Sequence, residues 1–369
     1  MRKRILVFLA VAQSILFLAH WFVYRTWMAF ERASDRPGNP SLGVVFALLS
    51  VTFLTASLLA RSYSHLFVRL YYKAAAVWAG FLSFFLLAAC CCWILYAIVR
   101  LLGLRWGQQS IAFALFGAAV LLGMYGLVNS ARVRVKQITV RLPNLPDGWR
   151  GRVAALVTDM HLGHVRGYRF AKRIVSMLSR SRPDIVLIGG DLYDGTAADV
   201  RRLAEPLREL SPPLGAYFIA GNHEEFAGHR KYLEAVKEVG VCVLNNEKVV
   251  VDGLQIVGVH YRDSVNPQHF RSILRQADLD PNRASVLLTH APNQLPIAAE
   301  EKIGLQLSGH THGGQFIPFT WITSRIYGRF VYGLRHLGNL IVYTSCGVGT
   351  WGPPMRVGTK PEIVLIGFE

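Results

Sequence analysis

Five short polar fragments of the sequence bring together residue types that bind divalent metals. They contain two Asp, one Asn and five His residues. Carboxylates, amide oxygens and neutral imidazoles are ligands that first-row divalent cations accept in proteins. Two such cations held close together can activate water, so this set of side chains predicts a two-metal hydrolytic site. The fragments are Asp159-Met160-His161, Gly190-Asp191, Gly221-Asn222-His223-Glu224, Thr289-His290 and Gly309-His310-Thr311-His312.

Each fragment follows a run of apolar residues that predicts a buried strand. In open α/β sheets ligands bind at the carboxyl ends of strands, so fragments far apart in sequence can meet at one edge. The neighbouring glycines let the backbone turn sharply and approach a ligand. A single Asp-x-His or Gly-Asp is most often an ordinary loop, and the prediction therefore depends on five fragments in series. The apolar runs are Val153–Val157, Ile185–Ile188, Ala216–Ile219, Val286–Leu288 and Leu305–Leu307.

Beyond residue 137 the chain alternates between strand patterns and helix patterns. Helices predicted at Tyr168–Arg180 and His229–Val239 lie between strands, which favours crossover connections and a largely parallel central sheet. Residues 249–257, with Asp252-Gly253 at their centre, predict a hairpin. Residues 338–344 and 363–368 have strand patterns. We therefore expect an α/β fold with two mixed β-sheets sandwiched between helices, in residues 151–369.

The first part of the chain has the composition of a membrane anchor. The chain has 369 residues, of which 52% are hydrophobic. Four uncharged apolar stretches reach the roughly 20 residues needed to cross a bilayer, so residues 1–130 predict a four-span transmembrane region. A cleavable signal is an alternative for the first stretch, but its apolar run continues to Tyr24. The stretches cover about 5–24, 41–60, 74–99 and 109–130, and residues 131–150 are predicted to form a link and first strand.

The distribution of Lys and Arg predicts the orientation of the chain. Ten of these cations lie in the N-terminus, the loop after the second stretch and the exit from the fourth, against five in the two opposite loops. Because cytoplasmic loops carry the excess of cations, we expect both termini and the globular domain in the cytoplasm. The cations of the opposite loops are Arg25, Arg32, Arg36, Arg100 and Arg105.

The net charge of +17 points to the membrane rather than to nucleic acid. Residues 1–136 contain 14 Lys and Arg against two acids, so most of the excess lies beside the predicted spans. Cations at such positions neighbour anionic lipid headgroups. The expected partner is the lipid bilayer, and no nucleic acid is expected. Cysteine spacing indicates neither a disulfide framework nor a zinc knuckle, which is compatible with a reducing compartment.

In their order and spacing, the fragments resemble the sequence blocks of the calcineurin-like metallophosphoesterase family. The blocks are Asp-x-His, Gly-Asp-x-x-Asp, Gly-Asn-His-Asp/Glu, a strand-borne His and Gly-His-x-His, and the resemblance covers about residues 150–369. It implies the four-layer αββα fold of that family and a metal-dependent phosphoesterase. It also implies two divalent metal ions as cofactors, and Mn, Fe and Zn are all compatible with mixed oxygen and nitrogen ligands.

The resemblance also implies a role for each polar residue. Asp191 would bridge two metals, and His223 would be the general acid that protonates the leaving oxygen. Asp194 would orient His223, although a turn carboxylate in Asp194-Gly195 is equally natural. One metal would be held by Asp159, His161 and His312, and the other by Asn222, His290 and His310.

A closer resemblance joins the chain to the membrane-associated bacterial branch of that family and its animal relative. It is carried by the segments 308–315, 347–349, 354–356 and 361–363. It implies a multi-pass protein of the bacterial inner membrane and a lipid-linked phosphorylated substrate, such as the UDP-diacylglucosamine of lipid A biosynthesis. Arg356 could bind a substrate phosphate, but a solvated surface Arg fits the sequence equally well. His164 and His260 are expected near the rim.

Two alternatives to this function remain open at this stage, and a third, in which the spans form a transporter or channel regulated by the domain, is disfavoured because the spans contain no charged residue. One is a phosphodiesterase that acts on soluble nucleotides. The other is a phosphoesterase-shaped scaffold that has lost catalysis, which the complete set of ligand residues disfavours. The oligomeric state stays undetermined.

Overall fold

The computed structural model describes residues 2–31, 40–104, 107–226 and 229–369. Arg32, Arg36 and Arg105, which entered the prediction of orientation, lie outside the described residues. By its internal contacts the chain divides into two units. One comprises Met1–Val128 with Gly352–Val357, and the other Asn129–Trp351 with Gly358–Glu369.

The first unit contains four long helices, which include the four predicted stretches. Over the described residues, each is long and apolar enough to cross a membrane. Together with the fold below they confirm the predicted architecture, a four-helix region followed by an α/β domain, and they support a membrane protein. The helices are α1 (Arg2–Glu31), α2 (Pro40–Ser62), α3 (Leu66–Leu101) and α4 (Gln108–Ala131).

Polar side chains form hydrogen bonds between helices of the first unit, to another side chain or to a backbone carbonyl. The indole nitrogen of Trp78 in α3 donates to Nε2 of His20 in α1 at 2.8 Å. The amide of Gln13 donates to the carbonyl of Ser50 in α2 at 3.1 Å. Such bonds join helices where no water is present to satisfy the same groups.

The second unit is built on two six-stranded mixed sheets. The first has the order β1-β12-β2-β3-β4-β5 and the second β10-β11-β9-β8-β7-β6. The bounds are β1 (Arg134–Val140), β2 (Val153–Val157), β3 (Ile185–Ile188), β4 (Ala216–Phe218), β5 (Cys242–Val243), β6 (Glu247–Val251), β7 (Leu254–Val259), β8 (Ser285–Thr289), β9 (Leu305–Ser308), β10 (Gly333–Leu337), β11 (Leu340–Thr344) and β12 (Glu362–Phe368).

Most neighbouring strands in both sheets run parallel, as the helices between them predict. The segments β2, β3, β4 and β5 are parallel in sequence order, and so are β7, β8 and β9. The predicted hairpin is the antiparallel pair β6 and β7. The chain's last strand, β12, lies between β1 and β2, parallel to the first and antiparallel to the second.

Helices cover the outer face of each sheet and complete four layers. One apolar core lies between the two sheets, and another lies between the first sheet and its helices. Alternate residues of a strand belong to different cores: in β2, Leu156 packs between the sheets and Ala155 packs against helices. This follows from the two-residue period of a strand. The helices are α5 (Tyr168–Ser181), α6 (Val200–Ala204), α7 (Asn222–Phe226), α8 (His229–Glu238), α9 (Tyr261–Ser264), α10 (Pro267–Gln276), α11 (Leu295–Glu300) and α12 (Phe319–Tyr327).

Candidate metal centre

All seven residues expected to bind metal lie together at strand ends. Asp159 follows β2, Asp191 follows β3, and Asn222 begins α7 after β4. His290 follows β8, and the turn after β9 carries the remaining two histidines. Because these parallel strands end on the same side of their sheets, short turns bring both sheets' polar residues to one place. Three overlapping groups could each hold a metal ion: Asp159, His161 and His312; His161, Asp191 and His223; and Asp191, His290 and His310.

The turns that carry these side chains have an unusual backbone conformation. Asp159, His161, Asp191, His310 and His312 all have positive φ, between 48° and 69°. Asp, Asn and His adopt this left-handed region more readily than other side-chain-bearing residues, but it remains uncommon. Such conformations cluster at functional sites, where the surrounding structure holds them in place. Their concentration in the candidate ligands is consistent with a binding role.

The first group is a close cluster around two imidazoles. Nε2 of His161 lies 3.0 Å from Nε2 of His312. Nε2 of His312 lies 3.4 Å from Oδ1 of Asp159, and Nε2 of His161 lies 3.7 Å from Oδ2 of Asp191. The three side chains that form the group are at most one-tenth exposed. Atoms that accept protons or metals therefore converge on one small, nearly dry space.

The group of Asp191, His290 and His310 adjoins the first group, because Asp191 lies close to His161. Oδ2 of Asp191 lies 3.1 Å from Nε2 of His290, which in turn is 3.2 Å from Nδ1 of His310. The other ring nitrogen of His290 lies 2.8 Å from the carbonyl oxygen of Gly189, to which it donates. A carbonyl that accepts from one ring nitrogen in this way orients a metal-binding imidazole and leaves its other nitrogen as the ligand atom. One carboxylate thus adjoins both groups, as a bridging ligand must.

Asn222 provides a further test of whether the residues fit a metal. Its side-chain oxygen Oδ1 is buried and accepts no hydrogen bond from the described residues. Leaving such an acceptor unsatisfied costs about 1–3 kcal/mol, so buried carbonyl oxygens usually have a partner. A cation would be one, because hard divalent ions accept amide oxygens. The donor set of carboxylate, amide and imidazole atoms therefore fits divalent metals.

Three glycines leave room for the carboxylates. A Cβ at Gly221 would collide with Oδ1 of Asp191, and one at Gly309 with Oδ2 of Asp159. At Gly347, whose φ is +73°, a Cβ would lie 2.5 Å from the Cβ of Asp159. Real Cβ atoms do not approach this closely, so only glycine permits the packing of these loops around the acids.

Burial and electrostatic contact shift the pKa values of the residues in the cluster, upward for some and downward for others. Burial raises the pKa of Asp159 to about 6 and lowers that of His310 to about 3. Burial opposes charge on His290 as well, but the Asp191 carboxylate beside it outweighs this and raises the pKa of His290 to about 10. The same attraction holds the pKa of Asp191 well below its usual range despite burial. Without metal, a proton on His290 therefore balances the charge of Asp191.

His223 stands at the edge of the cluster. Its Nε2 lies 4.0 Å from Oδ2 of Asp191, and 14% of its side chain is exposed. Its Nδ1 lies 2.9 Å from the backbone carbonyl oxygen of Asp194 and donates to it. The Asp194 carboxylate instead accepts from the backbone and hydroxyl of Thr196, at 2.8 and 2.5 Å. Asp194 therefore contacts His223 through its backbone carbonyl. Its carboxylate instead binds within its own turn, which was the alternative role considered from the sequence.

Glu224 is the last residue of the fragment Gly221-Asn222-His223-Glu224. No role was predicted for it from the sequence, and the structure reveals one. It is fully buried and accepts the backbone N–H of Asp191 at 3.0 Å, of Tyr193 at 3.0 Å and of Gly221 at 2.8 Å. It thereby fixes the two turns that carry Asp191 and Asn222. The signal in the sequence was an acid two residues after Asn222, but its partners are backbone groups that no side-chain pattern reveals.

None of the remaining candidates belongs to a group of described residues that could hold a metal ion. Nδ1 of His260 accepts the backbone N–H of Ala220 at 3.0 Å, and the ring is buried. Nδ1 of His164 lies 2.9 Å from the Thr196 hydroxyl. Arg356 belongs by its contacts to the helical unit and is fully buried rather than solvated. Its role toward a phosphate stays a prediction.

Comparison with known proteins identifies relatives of this chain. The sequence model of the calcineurin-like phosphoesterases matches residues 153–314. A metallophosphoesterase of Aquifex aeolicus is 34% identical over 257 residues, covering 68% of this chain and 97% of that protein. A zebrafish (Danio rerio) protein named transmembrane protein with metallophosphoesterase domain is 32% identical over 288 residues, covering 71% of this chain and 65% of that protein.

A third relative comes from Campylobacter jejuni. This metallophosphoesterase is 31% identical over 252 residues, covering 67% of this chain and 66% of that protein. The matches to the zebrafish and Campylobacter proteins thus span just under two thirds of each of them.

Proposed function

The chain belongs to the calcineurin-like phosphoesterase family, and on that premise we propose that it is a membrane-tethered phosphohydrolase with two divalent metals. Its substrate would be a phosphoester or pyrophosphate, held on a lipid. The observation that supports this most is the convergence of six candidate ligands from four turns, in overlapping groups that meet at Asp191. A fold that had lost catalysis would have no need to retain the complete set.

The proposed ligand sets follow the two groups of side chains. Asp159, His161 and His312 would hold one metal, with Asp191 shared between the two. Asn222, His290 and His310 would hold the other. Two bound cations would supply Lewis-acid stabilisation of the phosphoryl oxygens and would acidify a water for in-line attack. Mn, Fe and Zn all accept this mixture of oxygen and nitrogen donors.

The protein's own residues would position the substrate and move protons. The Nδ1–H of His223 donates to the backbone carbonyl of Asp194. When the ring is charged, its other proton is on Nε2, the nitrogen near Asp191. That proton would pass to the leaving oxygen, which is the role of a general acid. Glu224 would hold the Asp191 turn still while this happens.

Membrane tethering supports a substrate that is itself in the membrane. Only Arg132 and Val133 separate the end of α4 from the start of β1. A domain held so close to an apolar helix works where lipid-linked phosphates are concentrated, such as a UDP-diacylglucosamine-type compound. The excess of Lys and Arg beside the spans supports a cytoplasmic domain in a bacterial inner membrane. All five cysteines are free, as a reducing compartment requires.

The reaction class can be tested with the full chain in detergent. We expect manganese-dependent hydrolysis of an aryl phosphate diester, with most of the rate lost in Asp191→Asn and in His223→Ala. Asp147→Asn and His336→Ala are matched controls, because both side chains lie on the surface of the catalytic unit. Full turnover in Asp191→Asn and His223→Ala would contradict the assignment.

The substrate class needs a separate experiment. The metal-loaded chain is incubated with an extract of membrane lipids and nucleotide conjugates, and the phosphorylated species that disappear are identified by mass spectrometry. Loss of lipid-linked species supports the proposal. Loss of nucleotides or nucleotide conjugates with lipids untouched would favour a phosphodiesterase that acts on soluble substrates.

A further inference from the structure

The helix α12 is built with its apolar side facing outward. Phe319, Trp321, Ile322 and Ile326 are 42%, 63%, 51% and 66% exposed. With 100° between successive residues, they lie on one side of the helix. The half-buried positions are instead Thr320, Thr323 and Tyr327. A surface helix of a soluble domain has the opposite arrangement, with its apolar stripe toward the core.

This inverted helix adjoins the candidate metal centre. The ring of Tyr327 meets that of His310 edge-on, with centroids 6.2 Å apart. At the other end, Gly314 packs against the backbone of Thr320 so closely that a Cβ there would collide with it. Gly314 belongs to the turn that begins at His312. The side of α12 opposite its exposed apolar face therefore packs against the turn and the ring of two proposed metal ligands, His312 and His310.

A second exposed indole is fixed to the same turn. The side-chain amide of Gln315 donates to the carbonyl of Trp351 at 3.1 Å and accepts from its backbone N–H at 2.9 Å. The Trp351 side chain is 58% exposed. Trp is the residue type that favours the boundary between lipid and water, where its ring is apolar and its N–H can be hydrated.

The charge of this region identifies what covers the face. Residues 302–361 contain no Asp or Glu, although Glu300 and Glu301 come directly before the segment and Glu362 directly after it. Arg325 lies on the outer side of α12 and is exposed. An apolar face with aromatic and basic residues and no acids is typical of helices that lie in the interface of anionic membranes. A protein partner on this face would not explain why the whole segment lacks acidic residues, whereas an anionic membrane would repel them.

We propose that α12 is an interfacial helix, which docks the catalytic unit on an anionic phospholipid membrane beside the metal centre. Phe319, Trp321, Ile322 and Ile326 would enter the acyl boundary, and Arg325 would lie among headgroup phosphates. The entrance to the site would then open at the lipid surface, so that a lipid-linked substrate need not leave the bilayer. The docking itself does not depend on the proposed function, but its effect on substrate choice does.

The docking is tested by fluorescence of the full chain in lipid nanodiscs made of phosphatidylcholine and phosphatidylglycerol. Discs with brominated acyl chains quench any indole that enters the lipid. The chain has eight Trp residues, so the emission of Trp321 is obtained as the difference between wild type and Trp321→Phe. We expect more than half of that difference emission to be quenched. The matched control is Val250→Trp, at an exposed apolar position in β6, the edge strand at the opposite end of its sheet from β10, whose added emission should stay unquenched.

Two results would overturn the proposal. One is a Trp321 difference emission that brominated lipid does not quench. The other is a change from dimer to monomer in the double variant Ile322→Glu, Ile326→Glu, together with absent quenching, which would assign the face to a second copy of the chain.

The consequence for substrate choice is tested separately by activity. In the same double variant, hydrolysis of a phosphodiester lipid in the disc should fall at least about tenfold, because loss of even one apolar side chain from the lipid can produce that factor. Hydrolysis of a soluble aryl phosphate diester should not change, and neither rate should change in Val250→Glu, a matched exposed position. An equal loss on both substrates would contradict the role in substrate choice. If wild type hydrolyses neither substrate, the proposed function fails while the fluorescence still decides the docking.

Discussion

Replacing Asn222 with alanine should weaken one of two metal sites and leave the other intact. In the proposed arrangement its side-chain oxygen serves only the site that also contains His290 and His310. That oxygen is buried without a hydrogen-bond donor among the described residues. Removing it from the metal-free protein therefore breaks no hydrogen bond of its own, whereas removing it from the loaded protein removes a ligand.

The magnitude of each effect follows from this contact pattern. An unsatisfied buried acceptor costs about 1–3 kcal/mol, which offsets the packing lost on truncation, so the metal-free stability should change by less than about 1 kcal/mol. Loss of groups that only support a ligand already weakens metal binding about 10–100-fold. Loss of the ligand should reach at least this range, which corresponds to about 1.4–2.7 kcal/mol.

The assay is a calorimetric titration of manganese into the metal-free full chain in detergent. Wild type should show two binding events per chain, and Asn222→Ala should retain one of them at full affinity. Asn339→Ala, an exposed amide in the turn between β10 and β11, is the control and should bind like wild type. If Asn222→Ala weakened both events equally or neither, the division of the ligands between two sites would be wrong.

Three further predictions concern the same site. His223→Ala should lower the rate about 100-fold or more for an alkyl leaving group and far less for an activated aryl group, without changing manganese affinity; an equal loss for both would contradict its role as an acid. At pH 8, below its raised pKa of about 10, His290 is protonated in the metal-free protein, so metal binding should release a proton. The measured heat of binding should therefore depend on the ionisation enthalpy of the buffer. Metal affinity should fall as the pH falls, because protons compete with the metal. Gly309→Ala should weaken metal binding at the site that contains Asp159, because the added Cβ would collide with that carboxylate. Gly148→Ala, with no atom within 4 Å of its Cβ and no positive φ, should bind metal normally.

The positions of the metal-binding turns could be predicted because they depend on local patterns. Short apolar runs such as Ile185–Ile188 and Leu305–Leu307 end within one residue of β3 and β9. Buried strands of this kind are bounded by glycine and polar residues, so both their ends and the ligands that follow are visible in the sequence. The pairing of β1 with β12 was not, because local pattern carries no information about a partner more than 200 residues away.

Contacts made through the backbone were the other part that the sequence did not reveal. Glu224 binds three backbone N–H groups, and Asp194 reaches His223 with its carbonyl oxygen rather than its carboxylate. Every residue has these groups, so residue types cannot predict which of them meet. The direction of α12 was hidden for a similar reason: helical periodicity defines an apolar face but does not say whether that face points to the core or away from it.

The central claim, that Asp191 joins two metals, is tested most directly by electron paramagnetic resonance of the manganese-loaded full chain. Two manganese ions that share a carboxylate about 3.5–4 Å apart should give a magnetically coupled spectrum at two ions per chain, and Asp191→Asn should abolish the coupling. A single ion per chain, or two uncoupled ions in wild type, would contradict the account.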